Sequence, residues 1–284
     1  SLHGKNRKYG EIDDYDLNEI DILIFDIQDV GVRFYTHIST LHYVMEASAR
    51  NNIPLIVMDR PNPNAHYVDG PVLDLENQSF VGMHEVPIVY GLTIGEYATM
   101  INNEGWLNSS MKSNLTIIEL KNYNRKVTYD LPILPSPNLP NRKSINLYPS
   151  LCLFEGTNVS VGRGTEMQFQ IYGSPYLNKE KNNFRFTPKK NSGSKYPKHE
   201  NLLCYGKNLS ENKKLDKFDL SFLLNAYSDT NDKENFFNNY FDKLAGTNSL
   251  KNQIISGLSE KKIIQSWKKK LDIYKEMRVK YLIY

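Results

Sequence analysis

Two short apolar runs, each ending in an acid and a loop with a helical pattern between them, constrain this chain more than any other feature. The first, Ile20 to Ile27, is nearly continuous in Ile, Leu and Phe, which predicts a strand buried on both faces. Ile38, Leu41, Met45 and Ala49 then recur at helical spacing and predict a helix from Ile38 to Asn51. Pro54 to Met58 is the second strand. Strand, helix and strand with short joints demand parallel pairing and a right-handed crossover. A further helix follows over Thr93 to Glu104, opened by Thr93 and Glu96 as a capping box, and a third strand over Leu115 to Leu120.

The pattern changes after that. Leu131 to Pro149 holds five prolines and reads as an extended crossing between two domains. Beyond it lie strand-like pieces around Val159 and Phe169. A Lys- and Asn-rich stretch from Asn178 to Lys217 reads as long surface loops. Helices close the chain, the last from about Glu260 to Tyr281 with Ile263, Ile264, Trp267, Leu271 and Tyr274 on its apolar stripe. The fold class is therefore α/β: a Rossmann-like parallel-sheet domain over residues 1–131 and a second, smaller α/β domain over residues 132–284.

Both early strands end in acidic loops, Asp26-Ile27-Gln28-Asp29-Val30-Gly31 and Asp59-Arg60-Pro61-Asn62-Pro63. Open α/β sheets bind ligands outside the carboxyl ends of their strands, so the two loops should line one crevice. The usual occupants of such a crevice are excluded on motif grounds. No GxGxxG follows a strand, and neither a P-loop, an HExxH nor a GxSxG elbow is present. The six histidines show no zinc spacing, so no metal and no cofactor is called for. A net charge of +3 without a basic stripe implies no nucleic-acid partner. No stretch is long and apolar enough to span a bilayer. The two cysteines, Cys152 and Cys204, make no disulfide framework, and Cys152 sits in an apolar run as a small core residue.

Among residues able to do chemistry, Asp26 and Asp29 stand first. Either touches a ligand in the crevice, or Asp26 caps the loop and Asp29 holds its turn through backbone hydrogen bonds. Asp59, between its strand and Pro61, leans toward a turn-forming role, with Arg60 and Asn62 beside it. Glu155 directly follows the apolar run Leu151 to Phe154, read as a strand, and is either a buried acid or an arginine's ion-pair partner. Glu166 is a weaker candidate. Arg33 and Arg163 are the best anion receptors, because a guanidinium forks onto a carboxylate. For any single arginine an inter-domain salt bridge is the default role, but Arg163 lies between Gly162 and Gly164, which permits close approach of a ligand and favours function. Asn138 and Asn141, at the crossing, either bind hydroxyls or brace the bend. Tyr35 either stacks on a ring or packs.

Specific strings go further. FDIQDVGVRFYTHIST from Phe25, MDRPNPN from Met58, VDGPVLD from Val68, TIGEYA from Thr93, SPNLPN from Ser136, YPSLCLFEGTNVSVGRGTE from Tyr148 and FDKLAGT from Phe241 resemble the exo-β-N-acetylmuramidases, a family of peptidoglycan glycoside hydrolases formerly described as a domain of unknown function. The resemblance implies two α/β domains with the active site in the cleft between them. It implies release of terminal N-acetylmuramic acid from the non-reducing end of peptidoglycan, and export to the cell envelope, periplasmic or extracellular. It adds Tyr90, Gly164 and Thr165 to the substrate-binding residues, with Tyr90 standing where many relatives have His. Relatives also carry, ahead of the point matching Ser1, a Gly-Pro-Glu-His-Gly-like motif whose acid is a prime catalytic candidate and is not among these residues. A 2-acetamido sugar can supply its own carbonyl oxygen as nucleophile, so a carboxylate that orients it can replace the second catalytic acid. The competing reading is a muropeptide-binding protein that keeps the sugar contacts without hydrolysis.

Overall fold

The computed structural model describes residues 12–284. In the first half, β1 (Leu23–Phe25), β2 (Leu55–Met58) and β5 (Leu115–Ile118) form a parallel sheet in the order β1-β2-β5. α1 (His37–Asn51) crosses from β1 to β2, as the strand–helix–strand pattern requires. α2 (Ile94–Asn103) opens on the capping box read in the sequence: the Thr93 hydroxyl accepts from Glu96 N and the Glu96 carboxylate from Thr93 N. Phe25, Leu55 and Val57 pack with Ile38, Leu41 and Met45 of α1 and Ile94, Tyr97 and Ile101 of α2. A hairpin of β3 (Asp69–Val72) and β4 (Pro87–Val89) lies between β2 and α2 in the chain.

The expectation of strands buried on both faces needs correction. Ile24 is 66% exposed, and Ile22, Met58 and Ile118 are exposed with it. α1 and α2 cover one face of this three-stranded sheet, so only alternate residues of β1 are buried.

The crossing also ends earlier than its prolines suggest. α3 (Arg142–Leu151) begins inside it, capped by Asn141, whose side chain accepts from Ser144 N while Ser144 Oγ accepts from Asn141 N. Pro149 lies within α3 and lacks the N–H that would bond the carbonyl four residues back. That carbonyl, Ile145 O, accepts from Asn64 Nδ2 at 3.1 Å instead. A neighbouring loop thus replaces the missing bond, and the helix survives its proline.

A 3-10 helix, Cys152–Gly156, continues from α3. The apolar run before Glu155 is therefore helical, not a strand. A second sheet, antiparallel in the order β6-β8-β7, is built from β6 (Ile171–Ser174), β7 (Phe184–Phe186) and β8 (Cys204–Asn208). Two of these strands fall in the segment read as loops. Cys152 and Cys204 are buried and free. α4 (Ser221–Asp229), α5 (Phe241–Ala245), α6 (Ser249–Ile255) and α7 (Glu260–Val279) follow, with Ile263, Trp267, Leu271 and Tyr274 of α7 buried. α7 returns to the first half: Tyr274 Oη donates to Tyr90 O (2.8 Å) and the Arg278 guanidinium to Gly91 O (2.7 and 3.0 Å). Among the described residues no helix is long and apolar enough to cross a membrane.

Candidate active site

The two acidic loops do meet. Arg60, just after β2, donates through Nε (2.8 Å) and Nη2 (2.6 Å) to Asp26 Oδ1, just after β1. Gln28 Nε2 reaches Pro61 O at 2.9 Å and Asp29 O at 2.6 Å. Asp26 is exposed and Arg60 half-buried, so this ion pair lies open at the carboxyl ends of adjacent strands. His37 starts α1 at the same edge. Its Nδ1 lies 2.9 Å from Gln28 O, and its ring meets the Tyr35 ring edge-on at 4.7 Å.

Several sequence candidates lie beneath this surface rather than on it. Arg33 is fully buried; its Nη1 donates to Pro71 O and Val86 O (both 2.8 Å) and its Nη2 to Leu244 O (3.0 Å) and Ala245 O (2.7 Å). It reads no ligand carboxylate, because no solvent reaches it and four carbonyls take the donors of Nη1 and Nη2. It clasps the β3–β4 hairpin to the end of α5. Tyr90, also fully buried, donates its hydroxyl to Asp29 Oδ2 and so cannot touch a substrate. Asp29 is 5% exposed and accepts from Gly31 N (2.6 Å), so its turn-holding role is the realised one. Burial raises its pKa, opposed by the Tyr90 hydrogen bond and the charge of His37.

Asp59 is also structural. Its Oδ1 accepts from Arg60 N (2.9 Å) and Gly95 N (2.8 Å), and its Oδ2 from Thr93 Oγ1 (2.8 Å) and Tyr284 Oη (2.9 Å). It satisfies the start of α2. Burial raises its pKa against these four donors. Asn62 bridges Leu92 O and Asn64 N, both contacts within the protein.

From the first-half loops a row of rings runs into the second half. Tyr35 lies 6.1 Å from Tyr148, Tyr148 lies 4.8 Å from Phe169, and the Arg163 guanidinium stands 5.0 Å above Phe169. Tyr35 Oη anchors the row to the crossing by donating to Pro135 O (2.7 Å). Arg163 Nε donates to Glu155 Oε1 at 2.8 Å, and both side chains are about one-third exposed, at 33% and 28%. Lys198 braces this corner from below: its Nζ donates to the carbonyls of Phe154 (2.9 Å), Thr157 (2.6 Å) and Val159 (3.1 Å). Burial lowers its pKa, and the Glu155 carboxylate opposes that shift.

The glycines around Arg163 serve a different approach from the one expected. A Cβ on Gly164 would meet Lys189 O at 2.6 Å and Pro197 Cβ at 2.7 Å, so what comes close is the loop over residues 188–201. Thr165 closes a turn, donating to Gly162 O (2.7 Å) and accepting from Met167 N (3.0 Å). Asn138 braces the bend by donating to Gly193 O (2.7 Å), and Asn141 caps α3. The surface candidates are therefore Asp26, Arg60, Tyr35, Glu155 and Arg163. Gln28, His37 and Lys198 stand with them above the buried Tyr148, and none of the four was singled out as a site residue in the sequence. Gln28 lay in the acidic loop already marked; the other three become visible only when distant segments meet.

Fold and site together define a two-part α/β architecture with a parallel sheet in its first half. Loops meet at the strand carboxyl ends, and a row of ring contacts links them to an arginine–glutamate pair in the second half. Comparison with known proteins narrows this to a family. Residues 1–143 match the model of the exo-β-N-acetylmuramidase NamZ N-terminal domain, and residues 146–284 that of its C-terminal domain. The peptidoglycan β-N-acetylmuramidase NamZ of Bacillus subtilis strain 168 is 40% identical over 313 residues, covering 100% of this chain and 72% of that protein. Crystal structures of two DUF1343 family proteins from Bacteroides fragilis NCTC 9343 superimpose well. One has a TM-score of 0.93 at 45% identity, over 96% of this chain and 78% of that one. The other has a TM-score of 0.80 at 26% identity, over 100% and 79%. The chain belongs to the NamZ family of exo-β-N-acetylmuramidases.

Proposed function

We propose that this protein is an exo-acting glycosidase that releases N-acetylmuramic acid from the non-reducing end of peptidoglycan fragments, and that it works in the cell envelope or outside the cell. The family match over both halves supports the activity, and the substrate itself, which is a wall polymer, is the reason for the location. The single geometric observation that supports the assignment of roles is the part-exposed Glu155–Arg163 pair, joined to the first-half loops through the Arg163–Phe169, Phe169–Tyr148 and Tyr148–Tyr35 contacts. Glycoside hydrolysis needs a proton for the leaving oxygen and help for the developing cation at C1. The substrate's acetamido oxygen can give that help if a carboxylate orients the amide, and we assign that task to Glu155, a part-exposed second-half carboxylate.

N-acetylmuramic acid differs from N-acetylglucosamine by a lactyl ether, so a selective enzyme must read a carboxylate. Arg163 engages Glu155 through Nε, and its two terminal nitrogens have no hydrogen-bond partner among the described residues. They form the open end of a fork that fits the lactyl group. A charge-assisted bond contributes about 1.5–3 kcal/mol, so Arg163→Ala should lower kcat/KM on a muramic acid glycoside by roughly ten- to a hundredfold. The same variant of the full-length protein should barely change the weak background on the glucosamine analogue, and Arg163→Lys should recover only part. An equal fall on both substrates would show that Arg163 only holds Glu155 and does not select the sugar.

A further inference from the structure

We propose that His37 donates the proton to the departing sugar oxygen, a role that rests on the glycosidase reading. The geometry behind this is a ring with one nitrogen tied down and the other left open. A backbone carbonyl cannot donate, so the contact between Nδ1 and Gln28 O (2.9 Å) places a proton on Nδ1. Gln28 is in turn held at Pro61 O and Asp29 O, so the acceptor is itself fixed between the two crevice loops. Tyr35, edge-on at 4.7 Å, blocks rotation of the imidazole. Nε2 has no partner among the described residues, and the ring is half-buried at the carboxyl end of β1. A histidine whose orientation is set by a carbonyl on one nitrogen presents the other for proton transfer.

The other described histidines are not placed this way. Within the first-half core, His42 Nδ1 meets His84 Nε2 (2.9 Å), His84 Nδ1 meets Tyr97 Oη (3.0 Å), and His42 Nε2 meets Glu46 (3.2 Å). His66 has a ring nitrogen held at Leu215 O and His199 one held at Asn158 O, both carbonyls of the second half. Among the described histidines, His37 is the one bonded to the loop after β1 and packed against the first ring of the row that leads to Glu155. The buried carboxylate of Asp29 lies beneath the same loop, where Tyr90 and Gly31 hold it in place.

The step balances simply. As the bond between C1 and the bridging oxygen breaks, the electron pair leaves with the oxygen, which takes the Nε2 proton and departs as an alcohol. C1 is captured by the acetamido oxygen or directly by water. The entering water ends as the C1 hydroxyl and returns its second proton to Nε2.

The test exploits leaving groups. A 4-nitrophenolate departs without protonation, whereas a sugar alkoxide does not. The full-length protein and its His37→Asn variant would be assayed on 4-nitrophenyl β-N-acetylmuraminide and on a disaccharide with N-acetylmuramic acid at the non-reducing end. Asn keeps a donor where Nδ1 stood and removes the one at Nε2. General acid catalysis contributes roughly 10²–10⁴-fold, so the variant should lose about that much kcat/KM on the disaccharide and less than about tenfold on the aryl glycoside. Equal losses on both substrates would reduce His37 to a structural residue, and an unchanged disaccharide rate would remove it from the mechanism. His37→Gln serves as the second variant should Asn unfold the loop, which circular dichroism would reveal. A wild-type protein inert to both substrates would sink the glycosidase reading itself, a result distinct from any difference between variants.

Discussion

Replacing Arg33 by Met should destabilise this protein more than most single changes, although no ligand is involved. The guanidinium is fully buried and faces four carbonyls and no carboxylate. Burial pushes its pKa down to about 10, so it remains charged at neutral pH. Methionine would fill much of the space and relieve the cost of burying a charge, but it would supply no donors. Val86 O keeps a second partner in Leu73 N (3.1 Å). Leu244 O and Ala245 O do not gain one, because they are the last carbonyls of α5 and have no helical N–H ahead of them. Each orphaned buried acceptor costs about 1–3 kcal/mol, and the relieved charge returns part, so a net loss of about 3 kcal/mol is expected. In a chain of this size that lowers Tm by roughly 6–12 °C. Urea unfolding followed by tryptophan fluorescence, beside a thermal melt, measures it. Arg33→Lys should recover part of the loss, since an ammonium can serve three acceptors but not in the planar fork. A Met variant within about 1 kcal/mol of wild type would refute the reasoning, because the four hydrogen bonds would then contribute no net stability.

Two further outcomes are expected. Gly246→Ala should cost about 1–3 kcal/mol in the same melts, because Gly246 has φ +74° and a Cβ there would stand 2.5 Å from Arg33 Nη2; an unchanged Tm would mean that the clasp has slack. His84 is held well below its ordinary pKa of 6.5 by burial first and by the neighbouring His42 second. It stays neutral in the fold while the unfolded chain takes up a proton, so stability should fall as pH drops below about 6.5, by up to roughly 1.4 kcal/mol for each unit. Melting temperatures between about pH 7.5 and 5.5 check this, and the slope should flatten in His84→Gln; an equal slope in both proteins would assign it to other groups.

Periodicity and capping chemistry are local, and what depends on them could be read directly from the residues. α1 and α2 lie within a residue of their expected bounds, the Thr93–Glu96 box closes as expected, and the stripe on α7 is buried at Ile263, Trp267, Leu271 and Tyr274, with Ile264 only partly so. The meeting of the loops after β1 and β2 followed from parallel topology alone. Burial did not follow, because it depends on what lies across from a residue. The run around Ile24 looks like a two-faced strand, yet helices cover only one side of it. Pro149 looks like a helix breaker until Asn64, far away in sequence, bonds the carbonyl it strands. Arg33 and Arg163 are chemically identical in a sequence, and each was read as an anion receptor. Tertiary structure separated them by surrounding one with four carbonyls and leaving the other's fork open beside Glu155. His37 likewise takes its place from the fold, since a histidine's role is set by what fixes its first nitrogen and what the second one faces.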